Sequence, residues 1–310
     1  MWFNRFARFL VFCTFCLIIV GALVTSNDYG LSVPDWPKSY GMWMPPMIGG
    51  VFYEHGHRMV ASFVGFLTII LAIWLWRSES RKWVRNLGPL ALLTVIAQGV
   101  LGGITVIFLL PTPISLLHAT LAQTFFCLIV SIALFTSKEW YRPSPAMPRR
   151  GGAPFLFAAT TFAVYIQLIL GSWIRHSKAA LAIPDFPLSF GRVIPAFTTP
   201  EIAIHFAHRA WAAVVFILIF TTFLNVVRNY RSEKKLLRPA IFLLLLIALQ
   251  IILGAYTVWT KTSVYVATAH VGVGAIILAT SLVLTLRGYR MLSVVAETSP
   301  AIGKAQLKIV

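Results

Sequence analysis

Eight apolar runs, each close to the length that crosses a lipid bilayer, limit what this chain can become. They fall at residues 9–25, 59–76, 87–110, 114–136, 154–174, 205–227, 239–260 and 264–286. A spanning helix needs about 20 apolar residues. Charged residues make up only 11% of the 310, less than half the roughly 25% of a soluble domain. That is too little charge to coat a water-facing surface, so soluble, disordered, collagen-like and disulfide-scaffold classes are excluded. The expected fold is an all-α membrane protein with eight transmembrane helices.

A net charge of +17 raises nucleic acid as a partner, and the placement of the charge answers it. One set of connections holds Arg5 and Arg8; Arg77, Arg81, Lys82 and Arg85; Lys138, Arg142, Arg149 and Arg150. The same set holds Arg228, Arg231, Lys234, Lys235 and Arg238, then Arg287, Arg290, Lys304 and Lys308. The alternate connections hold only Lys38, Arg58, Arg175, Lys178, Arg192, Arg209 and Lys261. This is the positive-inside pattern, with both termini cytoplasmic. Nucleic acid is set aside, and membrane lipid is the expected surrounding. The start of the chain, through Gly21-Ala22-Leu23, also fits a secretory signal peptide, but a counterpart in the second half argues against its removal. No Arg- and Ser-rich transit segment is read ahead of it, which favours a bacterial cell membrane over an organelle.

The chain reads as two copies of one four-helix unit. Pro34-Asp35-Trp36-Pro37-Lys38-Ser39-Tyr40-Gly41 returns 150 residues later as Pro184-Asp185-Phe186-Pro187-Leu188-Ser189-Phe190-Gly191. His57-Arg58 returns as His208-Arg209, Gln98 as Gln250, Leu101-Gly102 as Leu253-Gly254, and His118 as His270. An even number of helices per unit makes the repeats parallel, related by a pseudo-twofold axis along the membrane normal. The two bundles are expected over 1–137 and 153–290, with a cytoplasmic linker at 138–152 and a cytoplasmic tail at 291–310. The Pro-Asp-aromatic-Pro segments fall in two long outer loops. Loops of that length tend to cover a site, and a rigid turn holding each loop on its helices is the plainer alternative.

All seven histidines, at 55, 57, 118, 176, 205, 208 and 270, lie toward the outer face. A single one is most simply a hydrogen-bonded interfacial residue. Two repeat-related pairs are different: His57 with His208, and His118 with His270, each put one imidazole on each of two helices at similar depth, as axial heme ligation requires. Zinc fits less well, because Cys13, Cys16 and Cys127 lie inside apolar runs and Cys13-x-x-Cys16 reads as packing. No structural disulfide is expected. Gly99, Gly102, Gly103 and Gly254 would let a flat ring approach the backbone, or serve close helix packing equally well. Arg58 and Arg209 suit heme propionates, and would look the same as membrane-interface anchors.

The halves differ beside one ligand. Glu54 stands three residues before His57, whereas the matching position in the second half is His205. A carboxylate at the edge of lipid usually marks a proton or substrate path. Chemistry in the first half and a permanent heme in the second would explain the difference; a simple charge at a helix N-terminus is the alternative.

These residues together resemble heme A synthase. Gly21-Ala22-Leu23-Val24-Thr25, Gly30-Leu31-Ser32-Val33-Pro34-Asp35-Trp36-Pro37 and Glu54-x-x-His57-Arg58 carry the resemblance. Gln98-Gly99-Val100-Leu101-Gly102-Gly103, His118, His208-Arg209 and His270 continue it, so that it covers about residues 10–285. The resemblance implies oxidation of a methyl group of heme O, through hydroxylated intermediates, to the formyl group of heme A, with a bound heme b cofactor. By that similarity His208 and His270 ligate heme b in the second bundle. His57 and His118 ligate or position the substrate heme in the first, with Glu54 in the catalytic neighbourhood. Implied partners are the substrate heme O, a heme O synthase, cytochrome oxidase assembly factors and a second copy of the chain. Many bacterial members carry Cys-Pro-Asp-Trp-Pro-x-Cys in the first outer loop. Here those cysteine positions are Val33 and Ser39, so a thiol relay there is impossible.

Other readings use the same histidines. A di-heme cytochrome b would carry electrons without altering heme, but such proteins commonly place histidines at both membrane depths. A heme exporter or chaperone is weaker. The transferase that makes heme O would need clustered aspartates, and Asp28, Asp35 and Asp185 are scattered.

Overall fold

Every apolar run becomes a helix. A computed structural model of the chain describes residues 2–142 and 147–293, so most of the expected tail, with Lys304 and Lys308, lies outside the described residues. The helices are α1 (Trp2–Ser26), α2 (Gly50–Ser78), the one-turn α3 (Lys82–Arg85), α4 (Leu87–Ile107) and α5 (Thr112–Phe135). The one-turn α6 (Lys138–Tyr141), α7 (Ala153–His176), α8 (Pro200–Tyr230), α9 (Lys234–Trp259) and α10 (Val264–Met291) follow. Among the described residues, eight helices are long and apolar enough to cross a membrane.

The main departures from the sequence expectation are at helix ends. α2 starts at Gly50 rather than near residue 59, and α8 at Pro200 rather than near 205. Glu54, His55, His57 and Arg58 lower local hydropathy without breaking a helix, since none lacks a backbone N–H or needs a positive φ. The true stop before α2 is Gly49, at φ 56°. α8 opens with Pro200 at the first position, where a missing N–H is harmless, and the Thr199 hydroxyl accepts the Ile202 N–H at 3.4 Å. α4 ends earlier than expected because Leu109 and Leu110 turn to positive φ.

Within α9, Pro239 cannot donate to the carbonyl of Lys235. The guanidinium of Arg287 on α10 donates to that carbonyl instead, at 3.1 Å, and also pairs with Glu139 at 3.0 Å. Cross-helix donation of this kind is how a proline is accommodated inside a spanning helix.

The long helices close into two rings of four. In the first half α1 packs on α2, α2 on α4, α4 on α5 and α5 on α1; in the second α7, α8, α9 and α10 pack in the same cyclic order. Each ring has its own apolar core, with Leu10, Leu71, Leu75 and Ile129 in the first and Phe157, Ile219, Leu243 and Leu278 in the second. The rings meet along α1 and α5 on one side and α7 and α10 on the other, where Phe126, Val130 and Ala275 form a smaller core.

The linker is more structured than its composition indicates. Besides α6, its β1 (Met147–Pro148) pairs in parallel with β2 (Leu292–Ser293) just after α10. At the same end of the molecule Glu79 takes hydrogen bonds from the Arg81 guanidinium at 2.8 Å and from the Tyr141 hydroxyl at 2.6 Å. The Arg81 guanidinium draws the Glu79 carboxyl down to about 2.

Candidate functional site

The opposite end of the molecule carries the two long loops, and each is built around one aspartate. The Asp35 carboxylate accepts the N–H of Tyr40 at 2.6 Å and of Gly41 at 2.8 Å. Asp185 accepts those of Phe190 at 2.7 Å and Gly191 at 2.8 Å. These donors, Gly41 and Gly191 foremost, hold both carboxyls below the usual carboxylate range. Tyr40 and Phe190 take φ 54°, so the turn is bent identically in both copies.

Each loop is fastened to the helix that follows it. Arg58 donates to the carbonyls of Asp35 at 2.8 Å and Lys38 at 2.9 Å; Arg209 donates to those of Asp185 at 2.8 Å and Leu188 at 3.0 Å. Arg209 also donates to the carbonyl of Ile183 at 3.0 Å and to His205 at 3.1 Å. Both arginines therefore grip the loops. Neither propionate binding nor interface anchoring, the two roles their sequence position offers, includes this one.

Glu54 and His205 occupy equivalent places in this fastening. Glu54 is 3% exposed; one oxygen accepts the Val33 N–H at 2.8 Å and the other pairs with Arg58 at 2.6 Å. His205 meets the Ile183 N–H at 3.3 Å and the Arg209 N–H at 3.1 Å. A carboxylate accepts both donors at once, but a neutral imidazole has a single acceptor nitrogen. The first loop is thus tied by two full hydrogen bonds where the second has one and a compromise.

The four paired histidines share one seating. Each leans on a glycine of the preceding long helix, where a Cβ would stand against the imidazole Cε1. The distance would be 3.0 Å from Gly21 to His57, 3.1 Å from Gly102 to His118, 3.1 Å from Gly171 to His208 and 3.2 Å from Gly254 to His270. Glutamine amides brace three of them: Gln98 donates to the His118 carbonyl at 3.0 Å, Gln250 to that of His270 at 3.0 Å, and Gln167 to that of His208 at 3.1 Å. Among the described residues no glutamine braces His57 in this way, and the position matching Gln167 is Leu17.

The expectation that glycines open space for a flat ring divides in three. Gly102 and Gly254 receive imidazoles, Gly103 receives the indole of Trp36, to which a Cβ would come within 2.6 Å, and Gly99 has no atom within 4 Å of a Cβ. In the second half Ala255 replaces Gly103 and Phe186 replaces Trp36, so a smaller ring accompanies a larger partner. Sequence reasoning missed Gly171 and Gln167 and gave Gly21 no seat. The signal for both glycines was the 150-residue repeat.

The histidines suit a heme on a structural ground. Nδ1 of His57, His118 and His270 is buried without a hydrogen-bond partner among the described residues. Buried imidazoles carried on four separate long helices form a donor set suited to porphyrin iron.

The sequence model of the COX15-CtaA family, described as cytochrome oxidase assembly protein, matches residues 48–282. The chain belongs to that family. The match includes Glu54 and all four paired histidines, and leaves out α1 with Gly21. Among curated relatives, the heme A synthase of Halalkalibacterium halodurans is 29% identical over 85% of this chain and 89% of its own length. That of Shouchella clausii is 30% identical over 90% of this chain and 92% of its own. The heme A synthase of Symbiobacterium thermophilum is 31% identical over 77% and 79%. With eight apolar helices, family membership fits a multi-pass bacterial membrane protein.

Proposed function

We propose that this chain oxidises the methyl group of heme O to the formyl group of heme A, for assembly of cytochrome oxidase. The reading is carried by four repeat-related histidines, each on its own glycine seat, in a chain whose relatives share the name heme A synthase. His208 and His270 hold heme b in the second four-helix bundle, and His57 and His118 hold the substrate heme in the first. Bound heme b supplies one-electron redox chemistry. Glu54 stands in the catalytic neighbourhood, where its carboxylate can take a proton released from the methyl group. Arg58 and Arg209 hold the loops that keep water from the sites.

The two bundles are related by a pseudo-twofold axis along the membrane normal. Both termini are cytoplasmic and the heme sites face outward, the arrangement that the charge distribution supports. Substrate comes from a heme O synthase, and product passes to oxidase assembly factors. The decisive experiment is pigment extraction from membranes that contain this protein and a heme O source. Heme A is the expected product; unaltered heme O beside a normal bis-histidine spectrum would instead identify an electron carrier.

A further inference from the structure

We propose that Arg175 is the carboxylate anchor of the permanently bound heme, holding a propionate of the heme b ligated by His208 and His270. The proposal rests on the functional reading above and adds a residue to its second site.

Three placements converge on Arg175. It lies four residues after Gly171 on α7, so the helix face that seats His208 presents a guanidinium one turn nearer the loop end. Arg175 donates through Nη2 to the carbonyl of Ala22 and the hydroxyl of Ser26 on α1. Ser26 in turn lies 3.3 Å from the hydroxyl of Thr268, two residues before His270 on α10. The guanidinium therefore stands where α7 meets α1, at the seam of the two rings and one hydrogen-bonded step from the helix of His270.

Its own bonding is incomplete. The hydrogen bonds of Arg175 use Nη2 alone, and among the described residues no carboxylate comes within the 4.0 Å of an ion pair. A guanidinium at the rim of an apolar bundle is costly unless a counter-charge meets it, and a forked donor with Nε and Nη1 in hand matches a carboxylate. Arg58 and Arg209, by contrast, are committed to loop carbonyls.

The first half lacks this device. The positions matching Arg175 and Gln167 are Thr25 and Leu17, and the Thr25 hydroxyl turns back to its own helix at Gly21. A cofactor that stays gains from a charged anchor and a braced ligand; a substrate that must depart does not.

The test uses full-length protein purified with its heme b, comparing wild type with Arg175→Gln and Arg175→Lys. A positive charge beside a propionate favours the reduced heme, so Arg175→Gln should shift the midpoint potential to more negative values while Arg175→Lys stays near wild type. Reconstitution with heme b and its dimethyl ester gives a second readout. The wild type should prefer the free acid by about tenfold or more, the scale of one charge-assisted hydrogen bond, and Arg175→Gln should lose that preference. Unchanged potential and preference in Arg175→Gln would overturn the proposal. If Arg175→Gln does not fold, an Arg175→Lys or wild-type protein that binds ester and acid equally overturns it as well. A bis-histidine spectrum that survives in both His208→Ala and His270→Ala would instead overturn the functional reading, and the anchor with it.

Discussion

At the scale of single residues, the unequal pair Glu54 and His205 separates chemistry from architecture. Both tie a loop to a helix through the arginine four residues on, so loss of the tie alone should affect the two halves alike. Glu54→Gln keeps an acceptor for the Val33 N–H but cannot ionise. It should leave the heme b spectrum intact while heme A formation falls at least about 100-fold, the range of general acid–base contributions. Glu201→Gln, in the exposed first turn of α8, should be mild. Wild-type heme A formation by Glu54→Gln would reduce Glu54 to a loop fastener. A second prediction concerns volume. Gly103→Ala drives a methyl into the Trp36 ring and should destabilise by about 1–3 kcal/mol, the usual cost of overpacking. Adding Trp36→Phe recreates the residue combination of the second half, Phe186 and Ala255, and should restore most of the thermal midpoint. Gly99→Ala, which meets nothing, should not lower it. If the double variant melts no higher than Gly103→Ala alone, the two positions are not a packing pair.

At the scale of elements, the cluster of Glu79, Arg81 and Tyr141 joins the end of α2 to α6. Glu79 titrates at about 2 in the fold against an ordinary 4.5, so its stabilisation is complete above the ordinary value and drains away as pH falls toward 2. Melting in detergent should show wild type losing stability between about pH 5 and 3, and Glu79→Gln, less stable near neutrality, losing less over that window. An identical pH dependence in both proteins would remove Glu79 from the account. The helices themselves were legible because bilayer thickness dictates their length, and the four glycine-seated histidines because the repeat marks them twice. The starts of α2 and α8 were hidden, since hydropathy treats Glu54 and His57 as loop although both are sound helix residues. The grip of Arg58 and Arg209 was hidden for another reason: a loop carbonyl and a propionate accept the same donors, and spacing alone does not tell them apart. The pairing of β1 with β2 joins segments far apart in sequence and too short to carry a period.

At the scale of the whole molecule, the charge asymmetry and the ring-on-ring packing make one prediction about orientation. In a background without native cysteines, Ser177→Cys at the loop end should react with a membrane-impermeant maleimide in intact cells, and Ser232→Cys at the basic end only after permeabilisation. The reverse pattern would invert the topology. The fastened loops also bear on traffic. Each arginine holds its loop by several charge-assisted bonds of about 1.5–3 kcal/mol apiece, so lifting a loop to admit a molecule as broad as a heme would forfeit several of them together. Between neighbouring helices the contacts are largely apolar, with single hydrogen bonds such as those of Gln98 and Gln250, and lipid tails replace the apolar part at little cost. On that count a greasy tetrapyrrole meets a bolted ceiling and a softer wall, which favours passage sideways, within the plane of the bilayer.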